Sequence, residues 1–387
     1  MYEEERIRSI INLPNTYIGE APIDVDDCQW IRLGSGVSRI HFAKETYDKP
    51  HFSIVCRGVK NREVKERTRQ IYDVIKNYVG NGFVIIIVRL PLGTLVATGG
   101  KSRWMTTKTD STISNCMYPY WHPSGDYCAY SLSLVAQCFM TGSEKFIEVF
   151  DRAADACVMD VRTGELILSP LLQTADLEVT PTFSADGKTL FYCTAKPQRL
   201  PADADKLRYD LCAIGFDAAN GRIGDKVDTI LNASAMGKSA SWPRPSYDGR
   251  FIMYCLTDYG YFPVDHKEAD LWIMNLADGT ARHATEANSS DTESFHNWSS
   301  NSRWIVFSSR REDGQTSLAY IAHVDTMGNV SKPFLLPQRH PREYYEAELR
   351  SFNTPDFTTE RVKLDPQEMS RAIFSDERER ATVKSRD

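Results

Sequence analysis

One short motif occurs four times in this chain, and its spacing restricts the folds that the chain can adopt. The copies occupy residues 121–126, 183–188, 245–250 and 298–303. Successive copies begin 62, 62 and 53 positions apart. Each copy starts with an aromatic residue or proline, continues with turn-forming residues, and precedes an apolar strand-like segment. A repeat of this length made of strands and tight turns is typical of a propeller blade.

The segments after each turn predict three more strands per repeat. β-branched and aromatic residues dominate the first of them, as in 189–194 and 304–309, and such residues suit a pleated, buried strand. An insertion of variable length follows, then a second strand, a turn with Asp or Asn and glycine, and a last short strand. We therefore predict an all-β fold, a β-propeller with five or six four-stranded blades. The Trp or Phe ahead of each turn is expected to lie in the core between blades.

The repeat assigns residues 83–340 to the propeller. A partial fifth unit is predicted upstream of the first motif, with strands at 83–89, 94–98 and 101–108. Residues 1–82 contain no copy of the motif and are predicted to form a small mixed α/β region of unassigned type. Apolar residues at helical spacing between 62 and 79 predict a helix there. A sixth blade would need strands from this N-terminal region.

The pattern ends near residue 340, and 341–387 are predicted to be a charged, partly disordered C-terminal extension. Within this extension, 369–380 are compatible with a short exposed helix. The last residues, 377–387, are expected to be frayed, because chain ends without apolar anchors are commonly poorly ordered.

Composition excludes several classes of protein. The net charge of −6 argues against a general nucleic-acid binder, which needs a basic surface. No apolar run approaches the length of a membrane span. The start, 1–6, has neither the basic end nor the apolar core of a secretory signal, which suggests a cytoplasmic chain or an incomplete precursor. The nine cysteines form no C-x-x-C pair, so zinc-ribbon and haem-attachment motifs are absent.

The motif W-x-P-x-G, followed by an apolar strand, resembles the WD40-like (PD40) repeats of the TolB family of β-propellers. The resemblance is closer to one branch, the TolB-like periplasmic proteins of Bacteroidetes. The segments that carry it are 107–112, 118–125, 266–271, 299–304, 307–311, 333–337 and 349–357. Together they cover roughly residues 85–365, and they are specific as a set.

The resemblance implies a soluble propeller of the periplasm or the outer membrane, often lipid-anchored and without established catalysis. Relatives of this kind commonly carry an export signal and a C-x-x-C-H motif ahead of the first blade. This chain contains neither. A lipid anchor would therefore belong to a fuller precursor, and residues 1–80 are a candidate for a divergent start.

Strand alternation predicts which loops share a side of the propeller. The glycine-bearing turns lie on one side, which we call the turn face. The other side, which we call the insertion face, collects the insertions and the connectors between blades. The insertions are 134–154, 195–210, 258–270 and 310–317, and the connectors lie near 172–180, 233–242 and 287–297. We expect any ligand site on the insertion face around the axial channel, since loops carry function more often than the scaffold.

Candidate ligand-binding residues form three groups on this face. They are His266, Glu268 and Asp270; Asp291, Glu293 and His296; and Arg310 with Arg311. The first group alternates along a strand and could hold a metal or a polar ligand. The second enters the last inner strand and could line the channel mouth. The arginine pair could bind a carboxylate, a phosphate or an acidic sugar. Arg244 and Tyr261 complete the candidate set.

Each group also has a structural interpretation, and the sequence leaves both open. The first group could form a hydrogen-bonded loop clamp or a solvated edge. The second could cap turns and strand ends, and the arginines could form internal ion pairs with the adjacent Glu312 and Asp313. Residues 259–262 could offer a stacking platform for a sugar or a peptide, or could pack over the rim of the propeller.

No motif predicts a reaction, since G-x-S-x-G, phosphate-loop and H-E-x-x-H patterns are absent. The leading hypothesis is a non-enzymatic binding or scaffold propeller of the cell envelope that holds a protein, peptide or glycan. The alternatives are a metal-dependent enzyme similar to polysaccharide lyases, and an accessory protein of cytochrome c or haem maturation. No cofactor is predicted; for a divalent metal the candidate ligands are His266 and His296. We expect a monomer without a nucleic-acid partner.

Overall fold

The computed structural model of the chain falls into two compact units. Residues 1–91 and 342–347 form the first unit, and residues 92–341 and 348–387 form the second. The structure describes residues 16–18, 28–33, 39–40, 46–47, 52–57, 94–98, 101–114, 116–139, 147–341, 344–345, 351–358, 366–375 and 379–384.

The described residues of the first unit before position 91 form short strands. They are β1 (Thr16–Ile18), β2 (Cys28–Leu33), β3 (Arg39–Ile40), β4 (Thr46–Tyr47) and β5 (Phe52–Arg57). β1 pairs in parallel with β2, β2 pairs antiparallel with β5, and β3 pairs with β4. The helix predicted between 62 and 79 and the strand predicted at 83–89 lie outside the described residues.

The second unit begins with the hairpin β6 (Thr94–Thr98) and β7 (Lys101–Thr106), followed by four four-stranded blades. The first blade is β8 (Met117–Trp121), β9 (Tyr127–Phe139), β10 (Ile147–Asp160) and β11 (Glu165–Ile167). The second is β12 (Leu177–Phe183), β13 (Thr189–Ala195), β14 (Asp210–Asp217) and β15 (Arg222–Leu231). The third is β16 (Ser239–Pro245), β17 (Phe251–Thr257), β18 (Asp270–Asn275) and β19 (Ala281–His283). The fourth is β20 (Glu293–Trp298), β21 (Trp304–Ser309), β22 (Leu318–His323) and β23 (Phe334–Leu335).

Every blade is an antiparallel sheet in chain order, which confirms the predicted β-propeller with four-stranded blades. The turn after each inner strand forms as the motif predicts. In the third blade, the backbone N–H of Gly249 donates to the Ser246 carbonyl oxygen at 3.0 Å, and the Ser246 hydroxyl donates to Asp248 at 2.7 Å. Antiparallel order places the insertions and the blade connectors at one end of every sheet, which is the insertion face.

The insertion of the first blade is a strand extension over much of its length. β9 continues to Phe139 and β10 begins at Ile147, so the predicted loop at 134–154 is largely a long hairpin. The pairing shifts register between Asp151 and Ala153, which places a β-bulge at Arg152. This hairpin brings first-blade residues to the insertion face.

The aromatic residue ahead of the turn is buried in the second and fourth blades but not in the first. Phe183 and Trp298 are buried, whereas Trp121 is 45% exposed. The prediction of a core position is therefore wrong for Trp121. The next residue, His122, fills the space between blades: its ring lies 4.8 Å from Phe183, and its Nε2 lies 3.1 Å from the carbonyl oxygen of Gly187. Edge-to-face packing of this kind adds to the stabilisation that burial provides.

The C-terminal residues pair with the outer edges of two sheets. After helix α1 (Pro366–Phe374), strand β24 (Glu379–Arg380) pairs in parallel with β7, and β25 (Thr382–Val383) pairs in parallel with β11. The expectation of a frayed end is therefore wrong for 379–384. The outer strand of a sheet has backbone N–H and C=O groups that are free to pair with another segment. Such pairing uses the backbone alone, so no apolar pattern in the sequence predicts it.

Among the described residues, no helix is long and apolar enough to cross a membrane.

Candidate functional site

The inner strands β8, β12, β16 and β20 each carry a β-bulge at the same repeat position. Its members have positive φ without being glycine: Tyr118 (52°), Thr180 (43°), Trp242 (55°) and Phe295 (49°). The pairing register shifts at each of these positions. This conformation is strained for residues with a Cβ, most of all for a β-branched residue such as Thr180. Bulges also change the direction of the neighbouring side chains, which here belong to the strands nearest the axis.

Two residues after each bulge, four side chains meet in what we call the axial hub: Tyr120, Thr182, Arg244 and Asn297. The Arg244 guanidinium donates to Asn297 Oδ1 at 3.1 Å and to Thr182 Oγ1 at 2.7 Å. Its Cζ lies 4.7 Å from the ring centroid of Tyr120 and 4.3 Å from that of Trp242. Arg244 thus contacts the inner strands of the four described blades, and burial lowers its pKa.

A segment of the C-terminal extension, 351–358, reaches the axial hub. The Asn297 amide donates to the carbonyl oxygen of Pro355 at 2.7 Å. Burial raises the pKa of Asp356, and the charge of Arg244 offsets part of that rise. The Ser308 hydroxyl donates to the carbonyl oxygen of Asn353 at 2.8 Å, which holds the segment along the fourth blade. The Arg244 guanidinium therefore makes its contacts within the protein, where they join the blades to one another.

The first candidate group divides between two sites. The His266 ring lies between two carboxylates, with Nδ1 3.1 Å from Glu268 Oε1 and Nε2 3.5 Å from Glu148 Oε1. The hydrogen bond from His266 lowers the pKa of Glu268 to about 2. Asp270 lies elsewhere, 3.0 Å from Nε2 of His283. His266 follows a 3₁₀ turn and Asp270 begins β18, so the three residues do not alternate along one strand.

The second and third groups meet in an internal ion pair. Glu293 is fully buried and lies 2.9 Å from the guanidinium of Arg311. It also accepts hydrogen bonds from the Ser289 and Ser309 hydroxyls at 2.7 and 2.8 Å. Burial nevertheless raises the pKa of Glu293. Arg311 also donates to the carbonyl oxygen of Ala287 at 2.6 Å, so these contacts tie the inner strand of the fourth blade to its connector.

The remaining members of these groups have separate environments. His296 is fully buried with Nδ1 3.7 Å from the Cys255 sulfur, and burial lowers its pKa to about 3, so the ring is neutral. Asp291 lies 3.9 Å from the amine of Lys267. Arg310 donates to the Ser317 hydroxyl at 3.3 Å. Within the described ranges, no group of three or more His, Cys, Asp or Glu side chains is arranged to hold a metal ion.

Insertions from three blades meet over the insertion face and form what we call the cap. The Tyr259 hydroxyl of the third blade donates to Glu148 Oε2 of the first at 3.4 Å. The backbone N–H of Gly260 donates to the Leu207 carbonyl oxygen of the second at 2.8 Å. Tyr261, predicted as a ligand platform, is buried in the cap: its hydroxyl accepts the Trp242 backbone N–H at 3.2 Å.

Three polar side chains of the first and second blades are buried: Asp151, Thr180 and Tyr209. Asp151 is 2% exposed. Within the described part of the chain, Asp151 Oδ1, Thr180 Oγ1 and the Tyr209 hydroxyl oxygen have no hydrogen-bond partner. Burial raises the pKa of Asp151 to about 6, and the nearby Ser133 hydroxyl offsets part of the rise. The Asp151 charge in turn adds to the burial that raises the pKa of Tyr209.

Sequence reasoning did not single out Glu148, Asp151, Thr180 or Tyr209. One signal was available, because two carboxylates stand inside the otherwise apolar run of 147–151 at the start of β10. Such a run predicts a buried strand, and a carboxylate within it needs a partner or a function.

Asp151→Asn is expected to stabilise the protein at pH 8 by about 1 to 2 kcal/mol, because it removes a buried negative charge. Each unit of pKa shift corresponds to about 1.4 kcal/mol of unfolding free energy, and the cost of burying the new amide offsets part of this gain. The pKa of Asp151 is raised from 3.8 to about 6, so the folded state binds the proton more tightly than the unfolded chain does. The protonated Asp151 side chain therefore contributes stability to the wild type below pH 4, and this contribution is lost as the pH rises to 6. Urea unfolding of both proteins at pH 4.5, 6 and 8 measures the difference.

A carboxylate whose pKa is lowered rather than raised provides the control for this experiment. The backbone N–H of Thr280 lowers the pKa of the exposed Asp278, so Asp278→Asn should destabilise the protein at pH 8. An equal effect of Asp151→Asn at all three pH values would contradict the assigned shift.

No family model matches the chain, and no curated protein matches it. Solved structures similar to it include a putative TolB from Agrobacterium tumefaciens at 15% identity and a TM-score of 0.31. TolB from Acinetobacter baumannii is similar at 14% identity and a TM-score of 0.30, and an oligogalacturonate lyase in complex with manganese at 12% and 0.39. These matches cover 55%, 84% and 62% of this chain, respectively.

The chain spans 60% of the length of the A. tumefaciens protein and of the lyase, and 88% of the A. baumannii protein. At these identities and TM-scores, the similarity concerns the fold alone. The four antiparallel blades themselves establish the propeller. The chain is thus a β-propeller that resembles TolB-like propellers at low sequence identity.

Proposed function

We propose that this protein is a non-enzymatic binding or scaffold propeller of the cell envelope, which holds a protein, peptide or glycan on its insertion face. The observation that supports the proposal is the cap. Loops from the first, second and third blades contact one another there, through Glu148 with Tyr259 and Leu207 with Gly260. Loops held by a rigid scaffold are a common location for binding sites.

The chemistry of the other candidate residues fits binding better than catalysis. Glu293 is buried and paired with the half-buried Arg311, and Nδ1 of the buried His296 lies beside the Cys255 sulfur. His266 is likewise engaged with Glu148 and Glu268. The lyase hypothesis needs His266 and His296 to share a metal with carboxylates, and the described residues do not arrange them in this way. A role in haem maturation has no supporting observation in this part of the chain.

Charged substitutions on opposite faces can locate the binding surface. Leu134 and Met236 are exposed on the insertion face, and Tyr247 and Met327 are exposed on the turn face. We expect Leu134→Arg with Met236→Arg to reduce capture of the partner by about tenfold or more, because one buried charge costs several kcal/mol. Tyr247→Arg with Met327→Arg is the matched control and should leave capture unchanged.

The experiment uses the tagged full chain, an envelope fraction, and quantitative identification of captured proteins and glycans. Cross-links between the partner and residues of the insertion face would support the proposal. Loss of capture by the turn-face variant alone would place the surface on the opposite side and contradict it. Failure to retain any protein, peptide or glycan above the level of an unrelated propeller would contradict a binding role.

A further inference from the structure

The buried ring of His266 lies between two carboxylates in the cap. Its Nδ1 is 3.1 Å from Glu268 Oε1, and its Nε2 is 3.5 Å from Glu148 Oε1. Glu148 is also buried and belongs to the long hairpin of the first blade, whereas His266 and Glu268 belong to the insertion of the third. The ring is therefore a direct electrostatic link between two of the blades that form the cap.

The surrounding chain holds the ring in this position. The His266 backbone N–H donates to the Pro263 carbonyl oxygen at 3.0 Å, and the Thr292 hydroxyl, from the connector before the fourth blade, donates to the His266 carbonyl oxygen at 2.6 Å. A Cβ at Gly260 would lie 2.9 Å from Nε2, so only glycine leaves room for the ring there. The Tyr259 ring packs edge-on against the imidazole, with the centroids 4.7 Å apart.

The two contacts determine how many protons this group carries. An ionised carboxylate only accepts hydrogen bonds, so the contact with Glu268 requires a hydrogen on Nδ1. A neutral imidazole has a single N–H, and the lone pair of Nε2 would then face the Glu148 oxygen. Such an arrangement is repulsive, because burial removes the water that would separate the charges. One further proton between Nε2 and Oε1 makes the contact attractive, and the count is the same whichever of the two atoms holds it.

The neighbouring carboxyl groups agree with a positively charged ring. The hydrogen bond from His266 is the largest influence that lowers the pKa of Glu268, to about 2. Burial raises the pKa of Asp265, and the charge of His266 offsets part of that rise. Because its pKa is lowered, the Glu268 carboxylate stabilises the contact above pH 4.5, and this contribution is lost as the pH falls to 2.

Other titratable groups near the ring are already paired or titrate outside the range of interest. The Tyr259 hydroxyl donates to Glu148 Oε2 at 3.4 Å, and burial raises the pKa of Tyr259, so it keeps its proton near neutral pH. Asp151, on the same hairpin, has its pKa raised to about 6, so it is mostly ionised above pH 6.5. The other charged neighbours are Asp258 paired with Lys238, Lys267 paired with Asp291, Asp205 near Tyr259, and Arg310 near Asp265.

We propose that the cap is a proton-linked latch, in which closure takes up one proton at the contact between His266 and Glu148. As the pH rises, this proton leaves, the two carboxylates repel each other, and the hairpin of the first blade separates from the insertion of the third. A role of the latch in admitting a ligand to the insertion face rests on the proposed function. The proton link itself rests on the geometry of the ring and the two carboxylates.

Two other interpretations account for less of the geometry. A loop clamp within the third blade needs only the contact between His266 and Glu268. It leaves unexplained why a carboxylate from another blade faces the second nitrogen. A metal ion would need more ligands, and within the described ranges no set of three His, Cys, Asp or Glu side chains is arranged to hold one.

Hydrogen exchange of the full chain, read by mass spectrometry at pH 6.5 and pH 8.5, tests the proposal. The peptides that contain 147–151 and 258–268 report the opening of the cap, after correction for the intrinsic pH dependence of exchange. We expect the opening constant of the wild type to rise by about tenfold or more between the two pH values, since one proton gives at most about tenfold per pH unit.

Two variants should remove this pH dependence in opposite ways. In Glu148→Gln, the side-chain amide donates to Nε2 while its oxygen still accepts the Tyr259 hydroxyl, so the cap should stay closed at both pH values. His266→Gln cannot take up the proton, so its cap should be as open at pH 6.5 as the wild type is at pH 8.5. His283→Gln is the matched control, because His283 pairs with a single carboxylate, Asp270, at 3.0 Å. It should keep the pH dependence of the wild type.

Two results would overturn the inference. One is an opening constant of the wild type that is equal at pH 6.5 and pH 8.5. The other is a pH dependence that persists unchanged in both Glu148→Gln and His266→Gln, which would assign the effect to other groups. Melting temperatures establish that each variant is folded, and either variant alone suffices for the comparison if the other does not fold.

This test is independent of the partner-capture experiment. If opening does not depend on pH while the insertion face still captures a partner, the latch is wrong and the proposed function stands. If opening depends on pH as expected while no protein, peptide or glycan is captured, the latch stands and the proposed function is wrong.

Discussion

Arg244→Ala is expected to lower the free energy of unfolding by about 3 to 5 kcal/mol, among the largest effects of any single substitution. The side chain is buried and donates to Asn297 and Thr182, so truncation leaves a cavity and two polar groups without their donor. The same change removes the cation packed on Tyr120. Equilibrium urea unfolding followed by far-UV circular dichroism and tryptophan fluorescence measures the loss and tests for two-state behaviour.

Arg250→Ala is the matched control, since Arg250 lies in the same blade but is exposed and pairs with Asp248 at 2.7 Å. Exposed ion pairs contribute about 0 to 1 kcal/mol, so its effect should be small. Arg244→Lys should recover little of the loss, because an ammonium cannot reproduce the planar fork of hydrogen bonds. An Arg244→Ala effect no larger than that of Arg250→Ala would show that the axial hub does not hold the blades together.

Gly187→Ala is expected to destabilise the protein by about 3 kcal/mol, whereas Gly249→Ala should cost about 1 to 2 kcal/mol. The two glycines occupy the same motif position, and both have a φ of 71°. A Cβ at Gly187 would lie 2.1 Å from Nε2 of His122, whereas a Cβ at Gly249 would meet nothing within 4 Å. Backbone strain is thus common to both variants, and the difference between them measures the steric conflict alone.

The two variants are compared by thermal and urea unfolding in one buffer. The double variant His122→Ala with Gly187→Ala completes a cycle, because removal of the ring should abolish the additional cost of Gly187→Ala. Equal destabilisation by Gly187→Ala and Gly249→Ala would contradict the close packing of His122 between the first and second blades.

The sequence predicted that the insertions lie at one end of the sheets, but it did not predict their contacts. Loops of three blades lie on the insertion face, as strand alternation predicts. Arg311 forms an internal ion pair, as the structural alternative from the sequence stated, but its partner is Glu293, 18 positions away, and the prediction of Glu312 and Asp313 as partners is wrong. The Glu148–Tyr259 contact joins residues 111 positions apart. No local pattern indicates which carboxylate among 52 acidic residues reaches such a partner.

The sequence by itself determined the blades of this protein. Alternation of apolar residues and the turn-forming Ser, Asp, Asn and Gly residues after the inner strands are local properties, so they specify strands and turns wherever the chain lies. The tertiary structure alone decided the exposure of Trp121, the pairing of 379–384 with two sheets, and the burial of Asp151 without a counter-ion among the described residues. Burial and electrostatic pairing depend on segments far apart in the chain, because a charge loses water only when loops from several blades close over it.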